Sequence, residues 1–543
     1  MKPKGIVLLL LLVTFSSAKT QTEIWHPFEL SLSSSQVYEN PLYEIKKFYA
    51  DFTSPTGRSQ RIYGFWDGDR QFKIRFAPDE LGEWSFVTHC SNTDDTGLHA
   101  VQGRFQSIPN TSPLAIYQNG NLKRSRGNYH MEHADGTPFF YTACTAWNGA
   151  LKSTPEEWDT YLTQRANNNY NVIQFVTTQW RGCERDSEGE VAFIGSGRIE
   201  INPAFFQRLD KKVEEINAHG LIAAPVLLWA LPFAEGRELS PGYYLPEEEA
   251  ILLARYLVAR YGGHQVIWIL GGDGKYTGEM EQRWKTIGRG VFGEKQPRLV
   301  AQHPHGVSWI GELYKDEPWL DIVGYQSSHD NNARIVDWIN KGPMAKQWDQ
   351  LPARPLINLE PNYEEIRFKI TAKDVRNASY WSLMATPIAG ITYGANGIWP
   401  WIQEQGELIE NHGNPGGRGP STWKQSIEFS GSLQIGYLSQ FFQQFNWWEL
   451  RPAQELLLEQ PGQEFFNHFI GIIANPARST ILAYTPRQQQ VKIRNRMNQA
   501  FTGQWFDPIL NRYEAAAITY EEGYLIATPP QEQDYVLVLK KKE

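Results

Sequence analysis

The chain has little cysteine and no surplus of positive charge. Three cysteines in 543 residues, Cys90, Cys144 and Cys183, cannot staple a protein of this size and show no metal-ligand spacing, so neither a disulfide framework nor a cysteine-zinc site is encoded. Cys144 lies inside an apolar run and reads as a small buried hydrophobe. A net charge of -8 leaves no basic face for nucleic acid, and the run Lys540–Lys542 reads as a solvated tail. Long hydrophobic runs are missing as well: past the first residues no stretch reaches the length a membrane span requires. The glycine-rich turn of a dinucleotide fold is also absent. Ala143 to Trp147 carries no glycine after the first strand-like run, and the pair Gly271 and Gly272 lacks the third glycine of that fingerprint. Nothing in the sequence calls for a cofactor or a metal.

The first residues carry Lys2 and Lys4, an apolar run from Ile6 to Val13, and small residues at Ser16 and Ala18. That order is the grammar of a secretory signal peptide over residues 1–18, cleaved after Ala18, and it predicts an exported protein, periplasmic or extracellular. No cysteine follows closely enough for a bacterial lipid anchor.

Aromatic residues are plentiful, with 20 tryptophans and 25 tyrosines. Some must fill cores, but Trp147, Trp180, Trp229, Trp399 and Trp401 fall at the ends of strand-like runs. Flat rings there can stack on the apolar faces of sugars, while a polar neighbour such as Asn148 hydrogen-bonds hydroxyls.

Eight apolar runs starting at Pro138, Asn171, Leu221, Val266, Arg298, Leu320, Pro355 and Gly390 read as strands buried on both faces. Amphipathic stretches separate them, with helix start signals at Ser153 and Thr154 before Pro155, at Asn202 before Pro203, and at Thr371 with Asp374. The alternation predicts βαβ units throughout and a (β/α)8 TIM barrel over residues 111–445. Residues 23–108, with FKIRF and WSF around a Pro78–Gly82 turn, predict an N-terminal β-sandwich. Residues 446–543, with FIGII, TILAY, QVKI and YVLVL, predict a C-terminal one, either a brace on the barrel or a carbohydrate-attachment module.

Asp273 in WILGGDG ends the fourth strand and Glu360 in LINLEPNYE ends the seventh. Barrel chemistry sits at the C-terminal strand ends, and these two strands face each other across the mouth. Glycoside hydrolysis needs such a pair: one carboxylic acid to protonate the leaving oxygen and a carboxylate on the far side of the bond. Asp273 is expected to be the acid/base, in dry surroundings beside Trp268 or a similar ring, and Glu360 the nucleophile of a retaining reaction. Glu364 and Glu365, expected on a loop, compete with Glu360. Glu404 after the eighth strand and His303, His305 and His329 after the fifth and sixth are expected to hold substrate hydroxyls. The same histidines with Asp273 offer a rival zinc-hydrolase reading, disfavoured because FFYTACTAW in the first strand lacks the His-x-His of metal-dependent barrels. Segments 181–200 and 403–420, rich in glycine and charge, are expected to shape the cleft.

WILGGDG, INLEPNYE and ITYGANGIWPW resemble the apiosidase-like catalytic domain of glycoside hydrolase family 140, whose strand-four carboxylate is an aspartate after two glycines. NPLYEIKKFYADFTSPTGR and GFWDGDRQFKIRFAPDELGEWSF resemble the β-sandwich often found before such barrels, and QWFDP with DYVLVL the small β-domain that follows them. The resemblance implies a (β/α)8 barrel, a nucleophile at Glu360 and action on a plant or algal polysaccharide such as pectin, with oligosaccharide as the partner. A non-catalytic glycan-binding protein is the alternative; it would be free to lose either carboxylate, and both are present.

Overall fold

A computed structural model describes residues 21–293, 298–412, 421–495 and 499–542. The leader read at Lys2 to Ala18 and the 413–420 part of the last cleft segment lie outside the described residues. The chain divides into two compact units, one ending at Thr111 and the other starting at Ser112.

The first unit is a β-sandwich. A five-stranded sheet with Phe48–Thr53 and Gly82–Cys90 at its centre opposes a three-stranded sheet of Phe28–Ser33, Phe65–Gly68 and Gln71–Phe76. Period-two alternation puts every second side chain inward. Phe28, Phe52, Phe76, Trp84 and Phe105 meet there, with Phe28 stacked on Phe105 at 4.0 Å between ring centroids.

The second unit is built on eight parallel strands: β1 (Tyr141–Thr145), β2 (Val172–Val176), β3 (Ile222–Trp229), β4 (Trp268–Gly272), β5 (Val300–Gln302), β6 (Ile322–Gln326), β7 (Leu356–Glu360) and β8 (Gly390–Ala395). The pairing Tyr141↔Gly390 closes the sheet into a barrel. All eight strands are the apolar runs of the sequence, and every residue in them is buried. The run at Pro138 is split, however. Pro138–Phe139 pairs antiparallel with Met131–His133 in a small sheet below the barrel, and the barrel strand starts two residues later.

Three helices start where their caps predict. In α1 (Pro155–Asn167) Thr154 and Glu157 form a capping box, Asn202 caps α2 (Pro203–Ala218), and α3 (Glu247–Tyr261), α4 (Glu279–Phe292) and α5 (Ala333–Lys341) follow. Thr371 and Asp374 box the start of α6 (Ala372–Ala385), and α7 (Ser430–Gln443) comes after β8. The βαβ rule fails once. Between β5 and β6 residues 303–321 form turns, because Pro304, Gly306, Gly311 and Pro318 interrupt any helical run.

The C-terminal β-domain belongs to the same unit. Its six-stranded sheet, including Thr480–Thr485, Phe501–Asp507 and Tyr535–Lys541, covers α6 and α7. Tyr380 stacks on Tyr484 at 4.6 Å and Phe441 on Phe506 at 4.4 Å. Between these ring pairs Arg376 on α6 donates two hydrogen bonds to Asp534, at 2.8 and 2.6 Å, in a fully buried pair. Two buried charges hold this joint because each pairs with the other, with Gln434 accepting from Arg376 and the Tyr484 hydroxyl donating to Asp534. Asp534→Ala therefore strands a guanidinium in the interface and is expected to cost about 3–5 kcal/mol, read as a lowered denaturant midpoint for the barrel transition; an unchanged midpoint would show that water reaches the joint.

Candidate active site

The end of β4 is shaped by two glycines. A Cβ on Gly272 would meet the Trp229 ring at 2.6 Å, and one on Gly271 would meet the Tyr276 hydroxyl at 2.5 Å, so only glycine lets these rings close against the strand. The chain then turns through Asp273 in the left-handed region, at φ 49°, a conformation that aspartate tolerates better than most residues. The turn leaves the carboxyl of Asp273 half-buried, and among the described residues it has no hydrogen-bond partner. Burial first, and the nearby charge of Glu360 second, raise its proton affinity well above the usual carboxylate range, with the Arg181 guanidinium opposing them. The ring beside it is Tyr276, and Trp268, expected there, lies at the start of the strand.

Glu360, the last residue of β7, is only 6% exposed. Burial alone would raise it as well, but His303 and His329 override burial and hold it well below the usual range. His329 Nε2 lies 2.9 Å from Glu360 Oε1 and its Nδ1 lies 2.8 Å from the Pro361 carbonyl oxygen. The ring is thus fixed between the Glu360 carboxylate and a backbone carbonyl. His303 is held from the other side of the mouth. The backbone N–H of Asp273 donates to its Nδ1 at 2.9 Å, which makes Nδ1 an acceptor and leaves the ring proton on Nε2, 3.2 Å from Glu360 Oε2 and off the line of an ideal hydrogen bond. One imidazole thus ties the turn that carries Asp273 to the carboxylate of Glu360.

The tryptophans form the floor beneath this pair. Trp147, Trp180 and Trp229 are each at most 3% exposed. Trp229 packs on Trp180 at 4.3 Å and Trp147 at 5.3 Å, and Trp147 lies 5.8 Å from the His303 ring. Trp147 Nε1 donates to the Tyr363 hydroxyl at 2.9 Å and Trp180 Nε1 to Asn148 Oδ1 at 2.8 Å. Asn148, fully buried, spends its amide on the Gly182 and Pro400 carbonyls, so it clips two loops together and offers nothing to a ligand. Trp399 borders the cleft against His412 at 5.1 Å. Trp401 is elsewhere: with no exposed surface it stacks on Trp423 at 4.6 Å and abuts Tyr161 on α1, so the expected sugar platform is a piece of core. The reason is general for these rings, since a barrel this aromatic needs its tryptophans for filling.

His305 is half-buried on the rim against Phe233, with ring centroids 5.4 Å apart. Glu404 is exposed on its loop; its backbone N–H meets Glu407. Glu364 is not on a loop: it pairs with β8 opposite Ala395 and turns its carboxylate to the Tyr393 hydroxyl and the Gly431 N–H at the start of α7. Among the described residues no three His, Cys, Asp or Glu side chains converge as a metal-ligand set.

Two residues of the site, Tyr363 and Phe233, escaped the sequence, and a third, Arg181, belongs to the 181–200 segment expected to shape the cleft. Arg181, one residue beyond Trp180, donates to the carbonyls of Glu235 and Asn411 and to His412 Nε2 at 2.9 Å. It joins the loops after β2, β3 and β8 and sets a positive charge near Asp273. Tyr363 lies against the His329 ring at 4.3 Å. Phe233, 54% exposed, presents a bare ring at the mouth where the tryptophans do not. A lone arginine, tyrosine or phenylalanine has no sequence pattern that marks such a place.

Comparison with known proteins places the chain in a family and relates its fold to solved structures. The family described as apiosidase-like, catalytic domain, matches residues 125–449, and DUF5060, a domain of unknown function, matches residues 21–91. Among solved structures, one glycoside hydrolase is 21% identical, with a TM-score of 0.66 over 78% of this chain and 97% of its own. A family 5 glycoside hydrolase from Bacteroides vulgatus is 20% identical, with a TM-score of 0.66 over 78% of this chain and 94% of its own. A further Bacteroides vulgatus structure described as a glycoside hydrolase reaches 0.70 at 17% identity over 96% of this chain and all of its own. No curated protein gives a significant match. The match over residues 125–449 takes in both carboxylates and more than half of the sequence, and by it the chain belongs to the apiosidase-like family of glycoside hydrolase catalytic domains.

Proposed function

We propose that the protein is an exported retaining glycoside hydrolase that cleaves a glycosidic bond in a plant or algal polysaccharide, pectin first among them, with Asp273 as acid/base and Glu360 as nucleophile. The observation that carries this reading is the opposite proton affinity of two carboxylates at one barrel mouth: Asp273 raised, Glu360 lowered. That separation lets one group hold a proton while the other stays ionised.

In the first step Asp273 gives its proton to the leaving glycosidic oxygen while Glu360 attacks the anomeric carbon, forming a glycosyl ester. In the second, Asp273, now a carboxylate, takes a proton from water, and the water oxygen displaces Glu360 from the sugar. His329 holds one oxygen of Glu360, and His303 stands beside the other, so that the carboxylate is oriented before substrate arrives. The sequence from Lys2 to Ala18 supports export, and an N-terminus at residue 19 in secreted protein would test it. Arg181 beside the cleft suits a carboxylated pectic sugar better than a neutral glucan.

Sugar release from pectic, hemicellulosic and algal polysaccharides tests the reading as a whole. Glu360→Gln is expected to lower turnover by at least about 10³-fold, whereas Glu364→Gln should stay within about tenfold of the wild type; the reverse order would move the nucleophile. Proton NMR of the first-formed product should show the substrate's anomeric configuration, and inversion would exclude the covalent step.

Activity needs Glu360 ionised, which fails only as pH falls through its depressed pKa, and Asp273 protonated, which fails as pH rises through its elevated one. The pH profile should therefore be bell-shaped. Arg181 opposes the rise at Asp273, so Arg181→Gln should move the alkaline limb to higher pH and leave the acid limb in place. A limb that stays or moves down would detach Asp273 from the alkaline ionisation.

A further inference from the structure

One side of the mouth carries a group that the two chemical steps leave unused. Phe233, on the loop after β3, is more than half exposed, and the ring beside it is that of His305, edge-on at 82° and 5.4 Å between centroids. The loop does not leave this ring out by slackness. Ala234, the next residue, holds φ at 149°, in a backbone region that a side chain with a Cβ enters only at a cost and that recurs at ligand clamps. One residue further on, the Glu235 carbonyl accepts from Arg181 Nε at 3.1 Å, which anchors the loop to the one after β2. A strained and anchored loop thus presents a bare ring.

His305 places that ring beside Asp273. Its backbone N–H donates to the Gly274 carbonyl at 3.0 Å, and the Gly274 N–H reaches back to the His303 carbonyl at 3.4 Å, so the segment 303–305 runs alongside the turn that carries Asp273. The side chain has a defined tautomer. Nδ1 lies 3.1 Å from the Gly306 carbonyl oxygen, which can only accept, so Nδ1 carries the ring proton. Burial first, and the Lys275 charge beside it, hold the pKa of the ring below the usual range against the pull of that carbonyl. The ring therefore stays neutral, and Nε2 is left as an acceptor that has no partner among the described residues and is not sealed from solvent.

A bare ring with an open acceptor at its side is what one sugar unit needs, because a sugar has an apolar C–H face and hydroxyl donors around its rim. Asp273 protonates the leaving oxygen, so the unit on its side of the bond is the one that departs. We infer that Phe233 and His305 form the subsite for the leaving sugar, the ring lying under its C–H face and Nε2 accepting from one of its hydroxyls. The inference rests on the reading of Asp273 as acid/base and adds to it the place where the outgoing part of the glycan is held. A leaving group with neither ring nor hydroxyl gains nothing from the pair.

The test compares two substrates with the same donor part: the polysaccharide from which the wild type releases a fragment, and the glycosyl fluoride of that fragment in the same anomeric configuration. The readout is kcat/KM, which spans every step up to departure of the leaving group. Phe233→Ala and His305→Ala are each expected to lower it about tenfold on the polysaccharide and by less than about threefold on the fluoride. Phe233→Tyr, which keeps the ring, should recover most of the loss. Equal losses on both substrates would show that the two residues only support the fold, and no loss on the polysaccharide would put the leaving sugar elsewhere; either result overturns the proposal, as does a Phe233→Tyr variant as slow as Phe233→Ala. A wild type that releases sugar from no polysaccharide would instead overturn the hydrolase reading, and the subsite with it.

Discussion

A buried carboxylate is the constraint around which the second unit is arranged. Glu360 ends a strand closed on both faces, where an ionised group without partners would cost several kcal/mol and would take up a proton instead. Two imidazoles prevent that. His329 is held by the Pro361 carbonyl and His303 by the Asp273 N–H, so the groups that keep Glu360 charged are themselves fixed by backbone atoms at the ends of β7 and β4. The hydrogen bond at His303 also explains why the left-handed turn at Asp273 is sustained: it is part of the same network, and the strain of one residue is offset by an oriented ring.

The tryptophans follow from this. A charged pair at the mouth is strongest where water is kept below and behind it, and Trp147, Trp180 and Trp229 supply a dry floor with their own N–H groups or ring faces turned to neighbours. The floor is dense because Gly271 and Gly272 let the rings reach the strand. What remains for substrate is the open side, bordered by Trp399, His305, Phe233 and the three loops that Arg181 joins.

The β-domain at the C-terminus is a brace in its energetics, with stacked rings and a buried ion pair against α6 and α7.

The barrel was legible because strands buried on both faces must be continuously apolar, and caps such as Thr154, Asn202 and Thr371 stop and start helices by local hydrogen bonds. Asp273 and Glu360 were legible for a related reason: a carboxylate that ends an apolar run has few explanations. The missing helix after β5 was readable in its prolines and glycines, but the period of the other units masked it. By contrast, Trp147 and Trp401 have the same sequence signature, a ring at a strand end, yet one floors the site and the other packs against α1. Only chain closure decides which way each ring faces. Arg181 and Tyr363 belong to the same class, because their roles come from neighbours 34 to 231 residues away in the chain. The sequence by itself determined the fold and the two carboxylates, since periodicity and strand ends are local; the tertiary structure alone decided their protonation and surroundings, since burial and hydrogen bonding depend on what the folded chain brings beside them.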